Sequence, residues 1–131
     1  MRPLLCVPTL AFLLLLLAAG CSKAPSSPPD QQSASASRDG ESIFQTRCFV
    51  CHGRDGKGDG PAAAGLGAAV RDLTNPAWQE STSDEIVRSV IHNGARAVGG
   101  SAAMAPNPDL SDEQIRSLVQ YIRQLRTQTP P

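Results

Sequence analysis

Aromatic side chains are scarce: the 131 residues hold three Phe, one Tyr and one Trp. A small chain so short of aromatics has little from which to build a core, and such domains commonly need a metal, a disulfide or a bound group as a staple. Excess charge of one sign is also missing, with twelve basic and twelve acidic side chains. That balance speaks against the clustered basic face of a nucleic-acid binder, so no nucleic-acid partner is expected. No segment alternates apolar and polar residues as a half-buried strand does, and no internal repeat is visible. The longest apolar run, Leu4 to Leu17, falls short of the ~20 residues a membrane-spanning helix needs. What remains is a single all-α domain, rich in Gly and Pro, with long loops.

The N-terminal run reads as a targeting segment. Arg2 provides a positive start, the leucines from Leu13 to Leu17 an apolar centre, and Ala18, Ala19 and Gly20 a small-residue cleavage site ahead of Cys21. The sequence Leu17-Ala18-Ala19-Gly20-Cys21 resembles the lipobox of bacterial lipoproteins. The resemblance implies removal of residues 1–20, lipid on Cys21, anchorage to a bacterial membrane, and a mature domain in the periplasm or otherwise outside the cytoplasm. Cys6 would be discarded with the signal. Ser22 to Asp39 is rich in Ser, Ala, Pro and Gln without apolar periodicity, and is expected to be a flexible tether. The folded domain is expected over residues 40–128.

Three helices are signalled there. The first is expected to be capped by Ser37 or Asp39, to carry Ile43 and Phe44 on its apolar side, and to run into Cys48-Phe49-Val50-Cys51-His52. A second is announced by Thr82-Ser83-Asp84-Glu85 as a capping box, with Thr82 at the cap and Gly94 at the end. The third follows the box Ser111-Asp112-Glu113-Gln114 and carries the stripe Ile115, Leu118, Val119, Ile122 and Leu125.

Cys48-x-x-Cys51-His52 is the central chemical signal. A redox-active dithiol normally sits beside a βαβ pattern, and none is visible. A structural zinc wants four ligands, and no second cysteine pair exists. The remaining use is covalent haem attachment, for which this pentapeptide is the signature. Two cysteines three apart on a helical turn reach two vinyl groups along one porphyrin edge, and the next residue turns an imidazole toward the iron. A sixth ligand is then sought. Met104 is the one methionine beyond the targeting segment, in the uncharged loop from Ala97 to Pro108, and its soft thioether favours reduced iron. His92, at the end of the second helix, is the rival.

Residues 40–126 resemble the class I c-type cytochromes, small helical proteins wrapped around one haem. Gly40 and Phe44 are similar to that family's glycine–aromatic pair, Tyr121 to its aromatic partner in the last helix, and Met104 to its loop methionine. The resemblance implies one covalently bound haem c, thioether-linked at Cys48 and Cys51, with His52 and Met104 as axial iron ligands. It also implies that Gly60-Pro61 supplies the Pro61 carbonyl to the haem histidine. Trp78 either donates its indole N–H to a haem propionate or simply packs in the core. Arg71 either neutralises a propionate or is a solvated surface residue. The expected function is membrane-tethered electron transfer, not enzymatic turnover, with an oxidase, a reductase or a dehydrogenase as redox partner. Two alternatives are a haem sensor or enzyme subunit with an open iron position, and a thiol-disulfide module using Cys48 and Cys51.

Overall fold

The computed structural model describes residues 29–128, which form five α-helices and short helical turns with no strand among them. Cys6, Cys21 and the export segment lie outside the described residues. Helix α1 spans Pro29–Ile43, widens into a π-helical turn over Phe44–Cys48, and continues as α2, Phe49–His52. Helices α3 (Pro76–Ser81), α4 (Asp84–Asn93) and α5 (Asp112–Gln128) follow across two long loops.

Helix α1 begins ten residues ahead of the expected Asp39 cap, so the segment read as a flexible tether is helical from Pro29 onward. Proline suits a first helical turn, where its missing N–H has no partner to lose, and Asp30 suits the positive end of the helix dipole. The neighbouring helix adds what composition could not show. Helix α1 packs along α5, and the Ser37 hydroxyl donates to Gln124 Oε1 at 2.6 Å.

The two long helices cross at Gly40, which is buried. A Cβ there would lie 2.0 Å from the Ser117 carbonyl oxygen and 3.0 Å from the Leu118 nitrogen. Only a residue without Cβ allows the backbones so close. One turn further, the rings of Phe44 and Tyr121 meet at 5.3 Å and 52°, within the favourable range for a tilted aromatic pair. The core beside them contains the whole α5 stripe, Ile115, Leu118, Val119, Ile122 and Leu125, with Leu73, Val87, Ile91 and Leu110.

Helix α5 starts as its sequence signals. The Gln114 amide donates to Ser111 Oγ at 3.2 Å, and the Ser111 amide to Gln114 Oε1 at 2.9 Å. That is a reciprocal capping box, with Leu110 and Ile115 both buried across it. Helix α4 departs from its expected cap: Ser83, not Thr82, accepts from the Ile86 amide. Thr82 is already committed to the end of α3, donating its amide to the Trp78 carbonyl. Its own carbonyl takes a bond from Arg123 Nη2 at 2.5 Å.

Candidate haem-attachment site

Cys48 closes the π-helical turn and Cys51 lies in the helical turn that follows, so the two thiols are presented from one continuous helical run. Both are free and partly buried. Burial pushes the Cys48 thiol up to about 11, against the pull of Arg47 and with a smaller push from Cys51. A dithiol built for redox exchange has the opposite property, a thiolate stabilised near neutrality.

Two contacts hold His52. The Phe44 ring lies 6.4 Å away at 44°, and His52 Nδ1 is 3.2 Å from the Arg71 carbonyl oxygen. A carbonyl can only accept, so Nδ1 carries the proton and Nε2 keeps its lone pair. Burial lowers the His52 pKa below its ordinary value, opposed by the Arg71 hydrogen bond. The imidazole is thus neutral and fixed in the tautomer an Nε2 metal ligand requires. The expected Pro61 carbonyl does not make this bond; the Arg71 carbonyl does. Pro61 is exposed, and its neighbours are pinned to the helix end instead. The Gly60 amide donates to the Cys51 carbonyl at 3.1 Å and the Ala62 amide to Val50 at 2.9 Å. These bonds satisfy carbonyls that a helix C-terminus leaves without partners. The chain then returns, and the Leu73 amide reaches the Gly56 carbonyl at 2.7 Å. That pairing brings Arg71 to His52.

The other sequence candidates are dispersed around this centre. Met104 is half-buried in the loop between α4 and α5, its carbonyl accepting from the Ala95 amide at 3.2 Å. His92 is exposed at the end of α4, with Nδ1 2.9 Å from Asn93 Oδ1. The Arg71 side chain is exposed and has no ion pair among the described residues. Trp78 packs half-buried against the core. It rides on α3, a helix absent from the three expected ones. Its signal was Asn75-Pro76: Asn75 Oδ1 accepts from the Trp78 amide at 3.0 Å and Pro76 occupies the first turn.

A buried polar tie was not legible in the sequence. Gln79 Nε2 donates to the carbonyls of Leu73 at 2.7 Å and Ile122 at 2.8 Å, while its Oε1 accepts from Arg123 at 2.7 Å. Arg123 also reaches Asp84 at 2.8 Å. The pair ties α3, α4 and the Leu73 segment to α5, and thereby secures the stretch that contacts His52.

A helical domain with two free thiols and a following imidazole in one helical run, the imidazole fixed by a carbonyl, has the residues that covalent haem attachment requires. The cytochrome c family model matches residues 37–126, and the chain belongs to the cytochrome c family. Two CcoP subunits of cbb3-type cytochrome c oxidase from Rhodobacter capsulatus are 32% and 34% identical over 101 residues. The match takes in 75% of this chain and 31% of each relative, so the chain spans about a third of their length. The solved KustC0563 c-type cytochrome is 31% identical with a TM-score of 0.55, covering 67% of this chain and 98% of its own. The family binds haem c covalently.

Proposed function

We propose that the chain is an electron-transfer protein carrying a single haem c, which Cys48 and Cys51 would hold covalently and whose iron His52 Nε2 and the Met104 sulfur would ligate. The observation that supports this best is the bond from His52 Nδ1 to the Arg71 carbonyl, which leaves Nε2 as the one ring nitrogen able to ligate. Haem c supplies an iron that gains and loses one electron without exchanging atoms. The polypeptide does the rest. His52 is held neutral, its orientation set before ligation by Arg71 and Phe44. Met104 adds a soft donor that favours the reduced state. The Arg71 guanidinium, free of any ion pair among the described residues, would be available to neutralise a propionate, and the Trp78 indole N–H would be available to donate to one. With His52 and Met104 both bound, the iron would have no place for a substrate, and the chain would act as a carrier.

The carrier is exported and anchored by lipid on Cys21, with the haem domain on the periplasmic side of a bacterial membrane. Seven residues separate Cys21 from Pro29, a reach of at most ~25 Å. The tether is therefore shorter than a flexible segment extending to Asp39. The redox partner is a respiratory oxidase, reductase or dehydrogenase, and the likeness to an oxidase subunit favours the first of these.

The absorption spectrum tests the reading. The purified protein should show sharp reduced bands and a weak far-red sulfur-to-iron band when oxidised. Met104→Ala should remove the far-red band, lower the reduction potential and admit carbon monoxide. A far-red band that survives Met104→Ala would refute the assignment, and loss of low-spin character in His92→Ala would move it to His92.

A further inference from the structure

The loop that carries Met104 runs from Gly94 to Ser111 with only the short turn Ala95–Val98 as regular structure. Most of its side chains are small and exposed, so apolar burial does little to hold Met104 in place. Backbone bonds fix its first half: the Ala95 amide donates to the Met104 carbonyl at 3.2 Å and the Gly100 amide to the Ala95 carbonyl at 2.8 Å. The second half depends on Asn107. Its backbone amide lies 3.1 Å from the Ile91 carbonyl and 3.2 Å from that of His92. Its side-chain Nδ2 donates to the Ile91 carbonyl at 3.0 Å and approaches the Ala105 carbonyl at 3.4 Å. Both neighbours of Nδ2 are carbonyls, which can only accept, so the amide orientation is determined. Asn107 therefore joins two things at once. It fills carbonyls that the end of α4 leaves without partners, and it grips the residue next to Met104.

The surroundings stiffen this grip. Pro106 and Pro108 flank Asn107 and each fixes a backbone dihedral. Gly94 is buried with φ +80, and a Cβ there would sit 2.9 Å from the Met104 carbonyl oxygen and 3.0 Å from the Pro106 nitrogen. The loop thus lies directly on the end of α4 on both sides of Met104. At its far end, Arg47 and Asp109 pair at 2.6 Å, tying it to the residue before Cys48.

We infer that Asn107 is a positioning residue for the sixth iron ligand, its side-chain amide locking the Met104 loop onto the C-terminus of α4 so that the thioether stays on the iron. The inference rests on Met104 being that ligand. Asn107→Ala removes both side-chain donors, and Asn107→Asp keeps the size while replacing donors with acceptors that face two carbonyls. In both variants the ratio of methionine-bound to methionine-free iron should fall about tenfold, equivalent to ~1.4 kcal/mol. Cyanide binding to the oxidised protein, which needs a vacated position, should quicken by a similar factor, and the reduction potential should drop.

The haem-loaded proteins should be compared well below their unfolding temperature, where circular dichroism reports full helix. A purely structural role would lower the melting temperature but leave the far-red band and cyanide rate untouched. Asn93→Ala serves as the control. Its side chain also sits at the end of α4 but hydrogen-bonds to Ser89 and His92 and not to the Met104 loop among the described residues, and it should leave both readouts at wild-type values. Wild-type band and cyanide rate in both Asn107 variants would overturn the proposal. So would failure of both to mature with haem while Met104→Ala matures normally, since Asn107 would then serve folding and not ligand placement. Met104→Ala, measured alongside, separates the two claims: a band that persists there defeats the ligand assignment itself.

Discussion

Replacing Gly40 by alanine pits helix propensity against packing, and the structure indicates which prevails. In an isolated helix the change stabilises by ~1 kcal/mol. Here the new methyl would be placed 2.0 Å from the Ser117 carbonyl oxygen and 2.5 Å from its carbon. Both atoms are backbone of α5, so no rotamer change relieves the contact. Comfortable separation is about 3.5 Å, and the helices must therefore part by about 1.5 Å at their crossing. A gap of ~0.5–1 Å already forfeits a quarter to a half of a van der Waals contact. Phe44 and Leu118, fully buried beside the crossing at 0% and 1% exposed, lose contacts as the helices part. Each buried apolar side chain of this size contributes roughly 1.5–3 kcal/mol, and overpacking typically costs ~1–3 kcal/mol. Subtracting the propensity gain leaves a net loss of about 2–3 kcal/mol. For a domain of about 100 residues that lowers the melting temperature by roughly 10–20 °C. The measurement is thermal and guanidinium unfolding of the oxidised haem protein, followed by circular dichroism. Gly65→Ala is the control, because nothing lies within 4 Å of its Cβ position, and it should be neutral. A Gly40→Ala protein as stable as wild type would refute the close-crossing argument.

Gln79→Leu keeps the volume but leaves the Leu73 and Ile122 carbonyls and Arg123 short of partners. It should cost about 2–4 kcal/mol, read from the denaturant midpoint, and a loss below ~1 kcal/mol would show that water or neighbouring groups replace the amide. Cys21→Ser should release the cytochrome from the membrane fraction with its spectrum unchanged, and equal membrane association of wild type and variant would rule out the lipid anchor.

Much of the molecule is written in short-range patterns. The Ser111 capping box, the α5 stripe and the Cys48-x-x-Cys51-His52 pentapeptide each lie within one or a few helical turns. Local geometry alone determines what such residues can do, so they are readable in sequence, and the all-α class follows from them. The Gly40, Phe44 and Tyr121 crossing was accessible only through family resemblance, since nothing local pairs α1 with α5.

What the tertiary structure decided depends on contacts across many residues. The start of α1 at Pro29 is one case, because the segment is polar and without periodicity and shows in sequence none of the apolar pattern that marks a helix. The carbonyl that orients His52 is another. Every residue has a carbonyl, so sequence offers no mark distinguishing Arg71 from Pro61, and only the path of the returning loop selects it. Gln79 and Asn107 belong to the same class. An amide side chain looks solvent-bound in sequence, and its role emerges only when the fold surrounds it with backbone carbonyls, as with Leu73 and Ile122 around Gln79 and Ile91 and Ala105 around Asn107.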